Sequence, residues 1–274
     1  MYRHHGQQHD LGFARIGLCD GYRPPHSTRN EIVDNDIEGT ADMIQRASMS
    51  AGPAIARADR EIGPFFVWWD NVTLAEAAAL RRAVENAKNE HEIQSFLNVN
   101  RSSLIQHLGG GHGRWVIPKK KLGAEYETDF VIGQKSSAGY EWMAVELESP
   151  RAHVFTKGGD FTAAANHAIR QITDWRVWLR SNMSYAEKPR SDNGLGLLNI
   201  DSELPGLILM GRRDDGRDRP AKRRYLKSRL GIEIHSYDWL IDLSQAKAEA
   251  LARGADAERQ LLDELSRQDH TPKD

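Results

Sequence analysis

Between Tyr126 and Asn182 the hydrophobic period switches from that of strands to that of a helix, and this switch limits the folds open to the chain. "YETDFVIG" and "YEWMAVELES" are short β-rich runs separated by the turn-forming "QKSSAG", which predicts an antiparallel hairpin. After a glycine-containing loop, "DFTAAANHAIRQITDWRVWLRSN" sets Ile169, Ile172, Trp175 and Leu179 on one apolar stripe, the pattern of an amphipathic helix. Further on, "PGLILMGRR" reads as a glycine-bounded buried strand and "IEIHSYDWLIDL" as a strand leading into a helix.

Upstream, "TLAEAAALRRAVENAKNEHEIQSFLNVN" predicts two helices, the first with Thr73 and Glu76 as a capping box. The tail "SQAKAEALARGADAERQLLDELSRQ" is helical and charged. The order is helix, strand, strand, helix, strand, strand, which predicts an α/β fold with a mixed central sheet flanked by helices. Residues 1–72 read as a small or flexible N-terminal extension, with a short helix around "IEGTADMIQRASM", and residues 73–274 as the main domain. At 274 residues and 39% hydrophobic, the chain buries one sizeable core plus a smaller appendage.

Charge excludes little. The 37 basic residues nearly balance the 39 acidic ones, so any site for a polyanion must come from local clustering. A single cysteine, Cys19, rules out an internal disulfide framework and a cysteine-based zinc site. No apolar run approaches 18 residues and the histidine-rich N-terminus has no signal-like segment, so the expectation is a soluble cytoplasmic protein without a membrane partner.

The chemistry concentrates on the hairpin. Asp129 opens its first strand, while Glu146 and Glu148 stand at i and i+2 at the end of its second; a regular strand sends both to one face and Leu147 to the other. An Asp on one strand and Glu on its neighbour form a pocket of oxygen ligands suited to Mg²⁺ or Mn²⁺. On the following helix His167, Gln171 and Asp174 share a face, and a polar His and Gln turned toward a sheet require partners.

Asp129, the "VELE" strand, "FTKGGDFTAAANHAIRQITDW", "LILMGRR" and "IEIHSYDWLI" together resemble the Shedu anti-phage nucleases, a group with a PD-(D/E)xK-type catalytic domain. The resemblance spans roughly residues 88–243, with several separated motifs in order. It implies a restriction-endonuclease-like core, variable N-terminal regions, homo-oligomeric assembly, DNA as the substrate and Mg²⁺ (or Mn²⁺) as the cofactor. It matches Asp129 and Glu146 to the metal-binding acids and Gln171 to the polar residue of the helix after the core strands. Glu92 falls where such folds often add an acid from the first core helix.

Glu148 departs from the pattern, which in its simplest form places lysine there to stabilise charge on the phosphate. Glu148 is either a further metal ligand, or its lysine role has migrated to Lys157 in "FTKGGD", or the site does not cleave. The expected site is therefore Asp129, Glu146, Glu148, Lys157 and Gln171, with the first three on the metal. Two basic-rich stretches flank it, "PKKKLG" from Pro118 and "GRRDDGRDRPAKRRYLKSR" from Gly211; both are candidates to track a nucleic-acid backbone, though the second also carries Asp214, Asp215 and Asp218. "HLGGGHG" lacks the Lys-Ser/Thr of a phosphate loop and is discounted. The expected function is metal-dependent DNA cleavage in phage defence; the alternative is a module that keeps the nuclease fold but binds or senses nucleic acid without cutting it.

Overall fold

The computed structural model describes residues 53–109, 111–214 and 216–269. The short helix expected around residues 37–49 lies outside them. In chain order the helices and strands are α1 (Pro53–Ile62), α2 (Leu74–Asn86), α3 (Glu90–Val99), β1 (Gly113–Pro118), β2 (Lys121–Leu122), β3 (Tyr126–Glu127), β4 (Phe130–Ser136), β5 (Gly139–Leu147), α4 (Ala163–Glu187), β6 (Gly206–Leu209), α5 (Pro220–Leu230), β7 (Ile232–His235) and α6 (Tyr237–Asp269). Five strands form one mixed sheet in the order β1-β4-β5-β6-β7, flanked by helices, as the sequence predicts; β2 and β3 pair separately.

Local sequence accounts for the element boundaries. Thr73 accepts a hydrogen bond from the Glu76 amide while the Glu76 carboxylate accepts one from the Thr73 amide, closing the expected capping box of α2. At the starts of α3 and α4 the Asn89 side chain accepts from the Glu92 amide and the Thr162 hydroxyl from the Ala165 amide. The hairpin turns between Ser136 and Gly139, whose φ of 111° favours glycine. Strand β1 and helix α5 lie in stretches whose charge and glycine content hide their period, and neither is among the elements the sequence predicts.

Strands β1, β4 and β5 run antiparallel, whereas β5, β6 and β7 run parallel. The end of β1, the start of β4 and the ends of β5, β6 and β7 therefore meet at one edge of the sheet. Alternation along β5 divides the core. Val145 and Leu147 pack with Leu207, Leu209 and the inner faces of α2, α3 and α6, while Ala144 packs with Ile208, Ile172 and Trp175 of α4. A side chain on Gly206 would come within 2.6 Å of Ile172, so only glycine lets α4 lie this close to the sheet. Helix α1 lies within the stretch expected to be an extension, yet it adds Ala58 and Ile62 to the core.

Candidate metal centre

Three strand ends converge. Phe130, the first residue of β4, is paired with Pro118 of β1 and with Val145 of β5, which brings Lys119, Asp129 and Glu146 to the same corner of the sheet. Asp129 is clamped there. One carboxylate oxygen accepts from Gln94 Nε2 at 2.5 Å and from Lys119 Nζ at 2.9 Å, and the other accepts from the Leu147 amide at 2.9 Å. Lys119 adopts a left-handed backbone, φ 46°, which is strained for a residue with a side chain, and its own amide donates to the Asp129 carbonyl.

Glu146 is 6% exposed and extends from β5 toward the α4 side of the sheet, where Gln171 is close enough to favour its charged form. One of its carboxylate oxygens is buried without a hydrogen-bond partner, as is the side-chain carbonyl oxygen of Gln171. Burial, reinforced by the charges of Asp129 and Glu148, pushes the Glu146 carboxyl up to about 9.

Strand β5 stops at Leu147, so alternation no longer dictates where Glu148 points. Glu148 is half-buried; burial and then the nearby Glu90 and Asp129 push its carboxyl up to about 7. The hydroxyl of Tyr237, at the start of α6, donates to the Glu148 carbonyl at 2.9 Å and feels the field of Asp129, Glu148, Glu90 and Glu146 together. Negative charge gathered in a poorly solvated corner is an arrangement that a divalent cation relieves.

Asp129, Glu146, Glu148 and Gln171 thus fall together. Lys157 does not join them by any contact; it is exposed in the turn between Phe155 and Phe161. The lysine that touches the acids is Lys119, from the "PKKKLG" run. Nor is Glu92 the acid that helix α3 adds: its carboxylate accepts from the Lys88 amide, and Glu90, two residues earlier, faces Glu148. His167 is exposed rather than packed under the sheet, while Trp175 is core. Glu90, Gln94, Lys119 and Tyr237 had no distinguishing local spacing, because their approach to the acids depends on where β1, α3 and α6 pack.

Among the described residues no group of three or more His, Cys, Asp or Glu side chains is already arranged around a common metal position. The donor chemistry nonetheless fits a hard cation. Asp129 and Glu146 offer carboxylate oxygens, Gln171 a carbonyl oxygen, and two of these buried atoms have no other partner. Glu148 stands at the rim of this set.

A mixed sheet whose antiparallel hairpin delivers an Asp and a Glu to one edge, with a polar residue from the following helix, is the core of restriction-endonuclease-like proteins. The model of the Shedu protein SduA C-terminal region matches residues 87–241, more than half of the chain, and the chain belongs to the Shedu family. Membership implies anti-phage defence and links the chain to defence nuclease function. No curated protein matches the chain. No helix among the described residues is long and apolar enough to cross a membrane.

Proposed function

We propose that the chain is a metal-dependent DNA endonuclease of phage defence, with Asp129 and Glu146 holding Mg²⁺ or Mn²⁺ and Glu148 assisting from the rim. The single observation that carries this reading is the pair of buried, unpartnered oxygens on Glu146 and Gln171 beside Asp129. A bound divalent ion supplies a water of lowered pKa and neutralises charge on the scissile phosphate. The protein's own residues do the positioning. Gln94 and the Leu147 amide fix the Asp129 carboxylate, Gln171 orients Glu146, and the Tyr237 hydroxyl holds the backbone at Glu148. Lys119, rather than Lys157, stands in for the lysine that Glu148 displaces, because its ammonium already reaches the acids. Binding of DNA at this corner gives that ammonium a phosphate oxygen as a second partner.

Asp129→Ala and Glu146→Ala are each expected to abolish cleavage of plasmid DNA in Mg²⁺. Lys119→Met is expected to slow it about 10²-fold or more, in line with the loss of one charge-stabilising donor, while Lys157→Met leaves the rate within about twofold. Equal cleavage by the Asp129→Ala protein, or a Lys157→Met defect larger than that of Lys119→Met, refutes these assignments.

A second reading is supported by Glu148 in the lysine position and by the absence, among the described residues, of a ready-made three-acid cluster. It makes the chain a nuclease-fold module that binds DNA without cutting it and assembles with itself. Titration calorimetry with Mn²⁺ separates the two: DNA binding without any heat from millimolar Mn²⁺ favours the second. In the first, Glu148→Lys weakens Mn²⁺ binding; in the second, it leaves the titration flat.

A further inference from the structure

The sheet edge that carries the acids also carries, at the end of β7, a cleft of about 440 Å³ unrelated to them in its chemistry. Its floor is aromatic. His235 stacks on Trp239 with ring centres 4.0 Å apart and planes 16° from parallel, and the ring of His107 meets Trp239 at 5.3 Å, tilted by 49°. His107 has neither ring nitrogen hydrogen-bonded, and burial lowers it to about 4, so the ring beneath the His235–Trp239 stack is uncharged. His235 is 28% exposed and turns Nε2 to the Glu233 carboxylate at 3.0 Å, which fixes its ring plane.

The wall is basic. Arg213 follows β6, and Arg223, Arg224 and Lys227 come from α5, a helix with five cations and no acid in its eleven residues. Three acids also line the cleft, but each is engaged: Asp218 by Arg223 at 2.7 Å, Glu233 by Lys227 at 2.8 Å and Asp214 by His153 at 3.3 Å. Arg224 is exposed and forms no ion pair or hydrogen bond with the described residues. The Lys227 side chain is 63% exposed, so its pairing with Glu233 is weak and yields to a stronger anion. A flat apolar floor beside a free guanidinium matches a planar base carrying a phosphate: the base continues the stack, and the guanidinium binds two phosphate oxygens at once.

We infer that this cleft is a nucleotide-binding subsite, with His235 and Trp239 as the platform for the base and Arg224 as the phosphate ligand. The nucleotide is either free or one unit of a nucleic-acid strand that runs along the sheet edge from the acids. The strand form rests on the DNA reading above; the free form does not.

Titration of the full chain, in EDTA so that nothing is cut, with AMP, inorganic phosphate and a ten-residue oligo(dT) tests the assignment. Binding of AMP identifies a free nucleotide, and binding of the oligonucleotide without AMP identifies a strand. In either case Arg224→Ala is expected to weaken binding by about tenfold, the value of a charge-assisted hydrogen bond, and His235→Ala by about fivefold or more through lost stacking. Arg224 is exposed, so its replacement leaves the fold intact, and near-ultraviolet dichroism checks the His235 variant. Failure of both AMP and the oligonucleotide to bind, with or without binding of phosphate, or effects below about twofold in both variants, overturns the inference. Sensitivity to Arg224→Ala without sensitivity to His235→Ala reduces the cleft to an anion site and also overturns it. Cleavage is scored separately: a chain that cuts no DNA but binds AMP through Arg224 keeps the subsite and loses the nuclease reading.

Discussion

Glu146→Gln is expected to raise the thermal midpoint of the metal-free protein at pH 8 while abolishing its binding of Mn²⁺. The reason is electrostatic. The Glu146 carboxyl, ordinarily near 4.5, is pushed up to about 9 by burial and by the neighbouring acids, so the folded chain retains a proton that the unfolded chain releases. The stability contribution is fully present below pH 4.5 and is lost as pH rises toward 9, because ionisation then favours the unfolded chain. At pH 8 the penalty is on the order of 3 kcal/mol, allowing for water reaching the site. A glutamine at this position has no proton to lose, and its amide can donate to the unpartnered Gln171 oxygen.

The expected shift is about 5 °C or more upward for a chain of this size, shrinking toward zero at pH 4. Mg²⁺ produces a similar rise in the unaltered protein and none in the variant. Differential scanning calorimetry across pH 4 to 9, with and without metal, checks all three statements. A variant less stable than its parent at pH 8 would show that Glu146 is held by interactions other than those described. The same measurement tests the metal centre without relying on cleavage, since a cation that relieves the buried charge must appear as stabilisation.

The second large effect concerns helix α1, which precedes the matched family region. Lys135 of β4 and Asp59 of α1 are 8% and 3% exposed, and their charged groups meet at 2.6 Å. The Tyr140 hydroxyl donates to the other oxygen of Asp59, so the carboxylate is satisfied on both sides. Around this pair Arg57 bonds Ser191 and Asp192, and Glu61 accepts from the Arg190 amide. Removing one partner strands a charge in the core. Lys135→Met and Asp59→Leu are each expected to cost about 3–5 kcal/mol, whereas the two combined recover most of the loss. Urea denaturation of the four proteins gives the coupling directly, and additive single losses with no recovery in the double variant would show that the pair is not a unit.

The pair also explains why this segment reads so poorly from sequence. Helix α1 is ten residues long, and its tie to the sheet is a buried ion pair separated by 76 positions. Periodicity detects apolar faces, and it is silent about a lysine near the end of a strand that finds its carboxylate on a distant helix.

For the site, local pattern carried part of the argument. The hairpin, the amphipathic helix and the glycine-bounded strand were legible because each has its own period and its own turn residues, and they placed Asp129, Glu146 and Gln171 at the ends and face where the structure finds them. Leu147 faces the opposite layer, as strand alternation requires. The lysine was not legible. Lys157 is nearer to Glu148 in sequence, but its turn projects into solvent, whereas Lys119 is brought to Asp129 by the antiparallel pairing of β1 with β4. On the first core helix Glu92 accepts from the Lys88 amide, and it is the charge of Glu90 that acts on Glu148; which of the two approaches depends on how α3 packs, not on local spacing.

The sequence by itself determined the class of fold, because hydrophobic period, capping residues and turn residues act over a few positions along the chain, and it put Asp129 and Glu146 forward as candidate acids. Tertiary structure alone decided which cation faces those acids, which groups hold them in place, and that their burial shifts Glu146 toward its neutral form. Those properties arise from desolvation and from charges brought together across strands and helices, and neither exists until the chain is folded.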